Sequence, residues 1–167
     1  MSATAGALAV IPARGGSKGI PGKNLQAVGG LSLVARSVQA AFASRGVDRV
    51  VVSTEDDAIA GEAQSHGAEV VRRPVAIAGD TASSESALLH ALDTLELQGP
   101  LPSRLVFLQC TSPFTSGAQI DQVLTALENP EINSAFAVAP WHGFLWRNDG
   151  RGINHDPQQP RQRRQDL

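Results

Sequence analysis

The stretch Leu8-Ala9-Val10-Ile11-Pro12-Ala13-Arg14-Gly15-Gly16-Ser17-Lys18-Gly19-Ile20-Pro21-Gly22-Lys23-Asn24 holds a strand and the loop that the strand delivers. Leu8 to Ile11 is a continuous apolar run, the pattern of a strand buried on both faces, and Pro12 followed by glycines stops it. The glycines leave backbone amides uncovered and permit positive φ, so the chain can wrap closely around phosphate oxygens. Arg14, Lys18 and Lys23 add positive charge of the kind that balances a triphosphate or a departing pyrophosphate. A Walker A loop is excluded, because it needs glycine where Ser17 stands and Ser or Thr where Asn24 stands; G-x-G-x-x-G is absent too. A flexible turn with solvated cations is the plainer alternative, but a position directly after a first buried strand favours a phosphate site.

Outward from this loop the pattern alternates. Leu33, Val34, Val38, Ala41 and Phe42 recur at helical spacing before Gly46, and Val50-Val51-Val52 reads as a second strand. A helix around Ile59 and Ala63 ends near Gly67, and Val70-Val71 is a short third strand. Ser83 or Ser84 caps a helix carrying Ala87, Leu88, Ala91, Leu92 and Leu95; Leu105 to Leu108 follows as a buried strand expected near the sheet's centre. Ile120, Val123, Leu124 and Leu127 mark a fourth helix, and Ala135-Phe136-Ala137-Val138 a fifth strand. Short apolar strands alternating with amphipathic helices predict a doubly wound α/β fold, a mainly parallel sheet with helices on both faces. Such sheets bind ligands beyond the carboxyl ends of their strands, so the loops 14–24, 72–84 and 109–115 are expected to face one crevice.

At 167 residues and 42% hydrophobic, the chain can bury one core of ordinary size without disulfides. Its single cysteine, Cys110, has no internal partner and no leader pattern opens the sequence, so a cytoplasmic protein is expected. A net charge of −2 argues against nucleic acid as partner, and no apolar stretch approaches the roughly 20 residues that cross a bilayer. Beyond Pro140 the period is lost and arginines accumulate, which divides the chain into a nucleotide-binding α/β domain (1–140) and an arginine-rich arm (141–167).

Other candidates lie on the predicted loops. Arg72-Arg73, with Asp80 to Ser84 opening a helix, suits ribose or base contacts, although ordinary capping accounts equally well for Asp80 and the serines. Gln109, after the fourth strand, can both donate to and accept from a pyrimidine edge. Cys110 has no base at recognisable spacing and reads as an inert buried thiol. The four histidines lack metal-ligand spacing, and Trp141 and Trp146 are equally consistent with core, cover or interface.

Together these residues are similar to a known family. Ile11 to Asn24, Val52-Ser53-Thr54-Glu55, Arg72-Arg73-Pro74, Asp80-Thr81-Ala82-Ser83-Ser84, Gln109-Cys110-Thr111-Ser112-Pro113 and Arg161-Gln162-Arg163-Arg164-Gln165-Asp166 resemble, in order, the acylneuraminate cytidylyltransferases. The resemblance implies transfer of CMP from CTP to the anomeric hydroxyl of a 2-keto sugar acid, with release of pyrophosphate. It implies nucleotide contacts from Arg14, Gly15, Ser17, Lys18, Lys23, Asn24, Arg73, Ala82 through its backbone, Ser84 and Gln109. Lys23 and Arg163 would be catalytic, and Arg161 and Arg164 would meet the sugar acid or a second subunit of a homodimer. Mg²⁺ is the implied cofactor, but family members carry a paired-aspartate segment after the arginine-rich arm and this sequence ends at Leu167, so no metal ligand is assigned. Two alternatives accompany this reading: a truncated CTP-binding module without turnover, and activation of another 2-keto acid such as an eight-carbon sugar acid, legionaminate or pseudaminate. Cys110 stands where the family commonly has proline or alanine, and Thr115 where several members have arginine.

Overall fold

The computed structural model describes residues 6–17, 19–79, 82–140, 143–156 and 158–160. The elements run β1 (Ala7–Pro12), β2 (Ala27–Val28), β3 (Leu31–Ser32), α1 (Leu33–Phe42), β4 (Val47–Thr54), α2 (Asp57–Ser65), β5 (Glu69–Arg72), α3 (Ser84–Glu96), β6 (Arg104–Phe107) and α4 (Gly117–Ala126). The main sheet has the order β5-β4-β1-β6, and every neighbouring pair is parallel.

Alternation along β1 decides how the helices pack. Ala9 and Ile11 share a cluster with Val34, Val38 and Ala41 of α1 and Ile59 and Ala63 of α2. Ala7, on the same face, packs with Ile120 and Leu124 of α4. Leu8 and Val10 point the other way, into a cluster with Val51 of β4 and Ala91 and Leu95 of α3. The strand is therefore apolar without interruption because both its faces are covered. Leu8, Val10 and Ile11 are at most 1% exposed, and burying each stabilises the fold by roughly 1.5–3 kcal/mol. Ile11→Ala would forfeit about 2–5 kcal/mol once the cavity is included.

Each helix begins on a side-chain cap. Ser32 accepts from the Ala35 amide, Asp56 from Ile59, Ser83 from Ser86, and Ser116 forms a reciprocal capping box with Gln119. Of the two serines offered by the sequence for α3, Ser83 is the cap. The two-residue strands β2 and β3, absent from the sequence reading, are joined by Gly29 and Gly30 at φ 59° and 83°. Positive φ at both central residues is the turn that matches strand twist in a tight hairpin.

Two expectations are corrected. Ala135 to Val138 forms no strand, and β6 is therefore an edge strand rather than a central one, paired among the described residues only with β1. An apolar run of four residues expresses a preference for burial, but a strand exists only where a ladder partner satisfies its amides and carbonyls. β6 shows the consequence: Leu105 and Phe107 are more than one-third exposed.

The chain divides into two units, Met1–Ala135 and Phe136–Leu167. Within the second, Trp146 bridges Gly152, Asn154 ties Leu145 to Gly143, and the His155 ring lies edge-on to both Phe144 and Trp146 at 4.6 Å. Trp141 and His142 lie outside the described residues.

Candidate functional site

β1 delivers the chain to the site. Its ladder continues one step further, with the Ala13 amide donating to Ser53 O at 2.9 Å, and the backbone leaves the sheet at Arg14. Arg14 Nη1 then reaches across to Gly79 O at 2.8 Å. The loop is shut by Asn24, which is buried and donates through Nδ2 to Arg14 O at 2.9 Å. Gly22, at φ 60°, starts the short 3₁₀ turn Lys23–Leu25 that places Lys23 and Asn24; a side chain there would be strained.

β4 and β5 supply the next wall. The Arg73 amide continues their ladder to Thr54 O, and its guanidinium is buried with Nη2 donating to Glu55 Oε2 at 3.0 Å. Its Nε is buried without a partner among the described residues. Arg72, the neighbour in sequence, turns the other way to the carbonyls of Glu55 and Asp56 and to the Asp57 carboxylate. Alternation at the strand end thus separates a pair of arginines into one that faces the site and one that braces the β4–α2 turn. Residues 77–79 and the start of α3 form a third side, where the helix N-terminus adds exposed amides and positive dipole.

These walls enclose a cleft of about 270 Å³. It is lined by eight of the candidates: Arg14, Ser17, Lys23, Asn24, Arg73, Ala82, Ser84 and Gln109, joined by Phe107 and Cys110. The structure thus brings together residues 14–109 from four separate loops, with three cations on the lining. Gln109 Oε1 accepts from Thr111 Oγ1 at 3.4 Å. Cys110 is buried, and burial pushes its thiol up to about 11, against the opposing pull of a Ser37 hydrogen bond and the Lys23 charge. A protonated, enclosed thiol is a poor nucleophile.

Gly15 lies beside the cleft: its amide donates to Glu55 Oε1 at 2.8 Å, and a Cβ there would collide with the Asp56 carboxylate. Its smallness lets the loop approach the end of β4. Lys18, Arg161, Arg163 and Arg164 lie outside the described residues, as do Asp80 and Thr81. Sequence reasoning missed Ile77, Ala78 and Phe107 among the residues lining the cleft, and Glu55, which lies behind that lining on Gly15 and Arg73. The signal for Glu55 was its place, a carboxylate at the carboxyl end of a buried strand.

Among the described residues no group of three or more His, Cys, Asp or Glu could hold a metal ion. Glu55, a carboxylate that touches the loop, is already engaged by the Gly15 amide and Arg73. No helix among them is long and apolar enough to cross a membrane.

Comparison with known proteins gives a consistent grouping. A family model described as cytidylyltransferase matches residues 8–144. The chain is 34% identical over 165 residues to an N-acylneuraminate cytidylyltransferase of Oncorhynchus mykiss, covering 95% of this chain and 37% of that protein. It is 29% identical over 166 residues to the pseudaminic acid cytidylyltransferase of Campylobacter jejuni, covering 96% of this chain and 72% of the relative. In structure it resembles a CMP:2-keto-3-deoxy-manno-octonic acid synthetase complexed with CTP, with a TM-score of 0.65, 24% identity, and coverage of 76% of this chain and 49% of that one.

Proposed function

The chain belongs to the cytidylyltransferase family, and we propose that it binds CTP in the cleft and transfers CMP to the anomeric hydroxyl of a 2-keto sugar acid of the N-acetylneuraminate kind, releasing pyrophosphate. The observation that carries this reading is the convergence of Arg14, Lys23 and Arg73 with the amides opening α3 and the Gln109 amide on one cleft at the strands' carboxyl ends. Cations and amides suit a triphosphate, and an amide side chain that both donates and accepts suits a pyrimidine.

In this reading the sugar hydroxyl attacks the α-phosphorus in line with the leaving pyrophosphate. Arg14 and Lys23 hold phosphate oxygens and offset the charge that grows on the departing group. Asn24, held on the Arg14 carbonyl, keeps the loop closed around them. Arg73, Ala82 N, Ser84 and Gln109 orient the nucleoside. Arg163 would complete the catalytic set, with Arg161 and Arg164 meeting the sugar carboxylate or a second subunit of a homodimer. The buried, unpaired Cys110 thiol supports a reducing, cytoplasmic setting.

The chain spans 37% of the length of the Oncorhynchus relative, which keeps a CTP-binding module without turnover as the second reading. One assay separates them: pyrophosphate release from CTP, Mg²⁺ and N-acetylneuraminate, with UTP and ATP as controls and 3-deoxy-manno-octulosonate and pseudaminate as alternative acceptors. Release confined to CTP supports the transferase; CTP binding without release with any acceptor supports the module; no CTP binding refutes both.

A further inference from the structure

Glu55 touches two parts of the site at once. Oε1 accepts from the Gly15 amide at 2.8 Å and Oε2 from Arg73 Nη2 at 3.0 Å. The first contact fixes the phosphate loop and the second fixes a cation on the opposite wall, so a single side chain sets their separation. Its own position is well determined. Thr54 before it is fully buried in β4; the Asp56 amide after it donates to Thr54 Oγ1; Asp56 caps α2 through Ile59; and Arg72 donates to the carbonyls of both Glu55 and Asp56.

The sign of the charge makes this arrangement informative. A carboxylate beside a site for a polyanion opposes binding by simple Coulomb repulsion. Its presence is accounted for by geometry: Arg73, with 5% of its side chain exposed, would otherwise be a buried unpaired cation free to collapse onto another acceptor. The Gly15 amide would likewise be free to turn the loop out of register. We propose that Glu55 is a positioning residue for the nucleotide site, holding the Gly15 turn and the Arg73 guanidinium at the spacing the triphosphate requires without itself touching the nucleotide. The inference rests on the CTP reading above.

Titration calorimetry of the full chain with CTP tests it, comparing the parent with Glu55→Gln. Coulomb repulsion alone predicts that the neutral variant binds CTP more tightly; positioning predicts that it binds about tenfold more weakly, 1.4 kcal/mol. A parent chain that binds CTP while Glu55→Gln binds it equally or more tightly overturns this inference alone. A parent that binds no CTP overturns the nucleotide reading, and this inference with it. A double-mutant cycle with Lys23→Ala separates positioning from general damage. Loss of loop placement predicts that the Glu55→Gln penalty shrinks to under about twofold once the loop cation is gone, whereas a merely structural effect adds in full. Should Glu55→Gln not fold, the parent still decides the matter by amide hydrogen exchange. The Gly15 amide stays protected with CTP bound if it remains on the carboxylate, and exchange there at the rate of an open loop overturns the proposal.

Discussion

Arg73 is buried and Glu55 partly so, with 5% and 16% of their side chains exposed, and the two form an ion pair. Removing one member of such a pair strands the other, so Arg73→Ala is expected to cost roughly 3 kcal/mol in urea unfolding as well as most of the CTP affinity. Lys23→Ala touches no comparable pair; it is expected to weaken CTP at least about tenfold in titration while shifting stability by less than about 0.5 kcal/mol. Cys110 offers a pH test. Burial raises its folded-state value to about 11 from an ordinary 9.0. The folded state therefore holds this proton more tightly than the unfolded chain does, so the associated stability is fully present below pH 9 and is lost as pH rises towards 11. Cys110→Ala should flatten that alkaline limb in denaturation measured across this window. Neither the Arg73–Glu55 pair nor the Gly15–Glu55 bond was legible in the sequence, because residues 18 and 40 positions apart carry no mutual signal before the strands align.

At the scale of elements, legibility followed periodicity. The four helices appear where apolar residues recur at helical spacing, and their caps are the Ser and Asp residues that precede those runs. The β2–β3 hairpin was missed because its strands are two residues each, too short to show alternation, though Gly29-Gly30 was a turn signal in plain view. α3 is where element and site meet: Ser83 caps the helix whose first residues line the cleft. Ser83→Ala should cost about 1 kcal/mol of stability in urea unfolding, with a weaker CTP titration because the amides there lose their fixed direction. At the opposite end of the sheet, Asp121 of α4 accepts from Ser44 Oγ and from the Arg45 and Gly46 amides. These bonds, the Ser44 hydroxyl first, hold its carboxyl below the usual range. The joint between α1 and α4 should therefore loosen only as pH falls through that lowered value, a change observable as selective loss of amide protection at residues 44–46.

For the whole molecule the prediction is thermodynamic. If the cleft binds CTP only in the folded state, CTP at 100 times its dissociation constant should stabilise the chain by about 2.7 kcal/mol and raise its thermal midpoint by several degrees, while UTP and ATP do so less. Equal shifts from all three nucleotides would remove base choice from the cleft. The sequence by itself determined the fold class and pointed to eight of the residues that line the cleft. Uninterrupted apolar runs demand burial on both faces, glycines and cations after the first of them favour an anion, and neither inference depends on which strands are neighbours. Strand order was decided only in three dimensions: β1, not β6, is flanked on both sides, and Ala135 to Val138 pairs with nothing described. Tertiary structure also decided which arginine of Arg72-Arg73 faces the cleft and made Glu55 part of the site, because an acidic side chain acquires a role only when parallel pairing of β1, β4 and β5 brings the phosphate loop and Arg73 to its two oxygens.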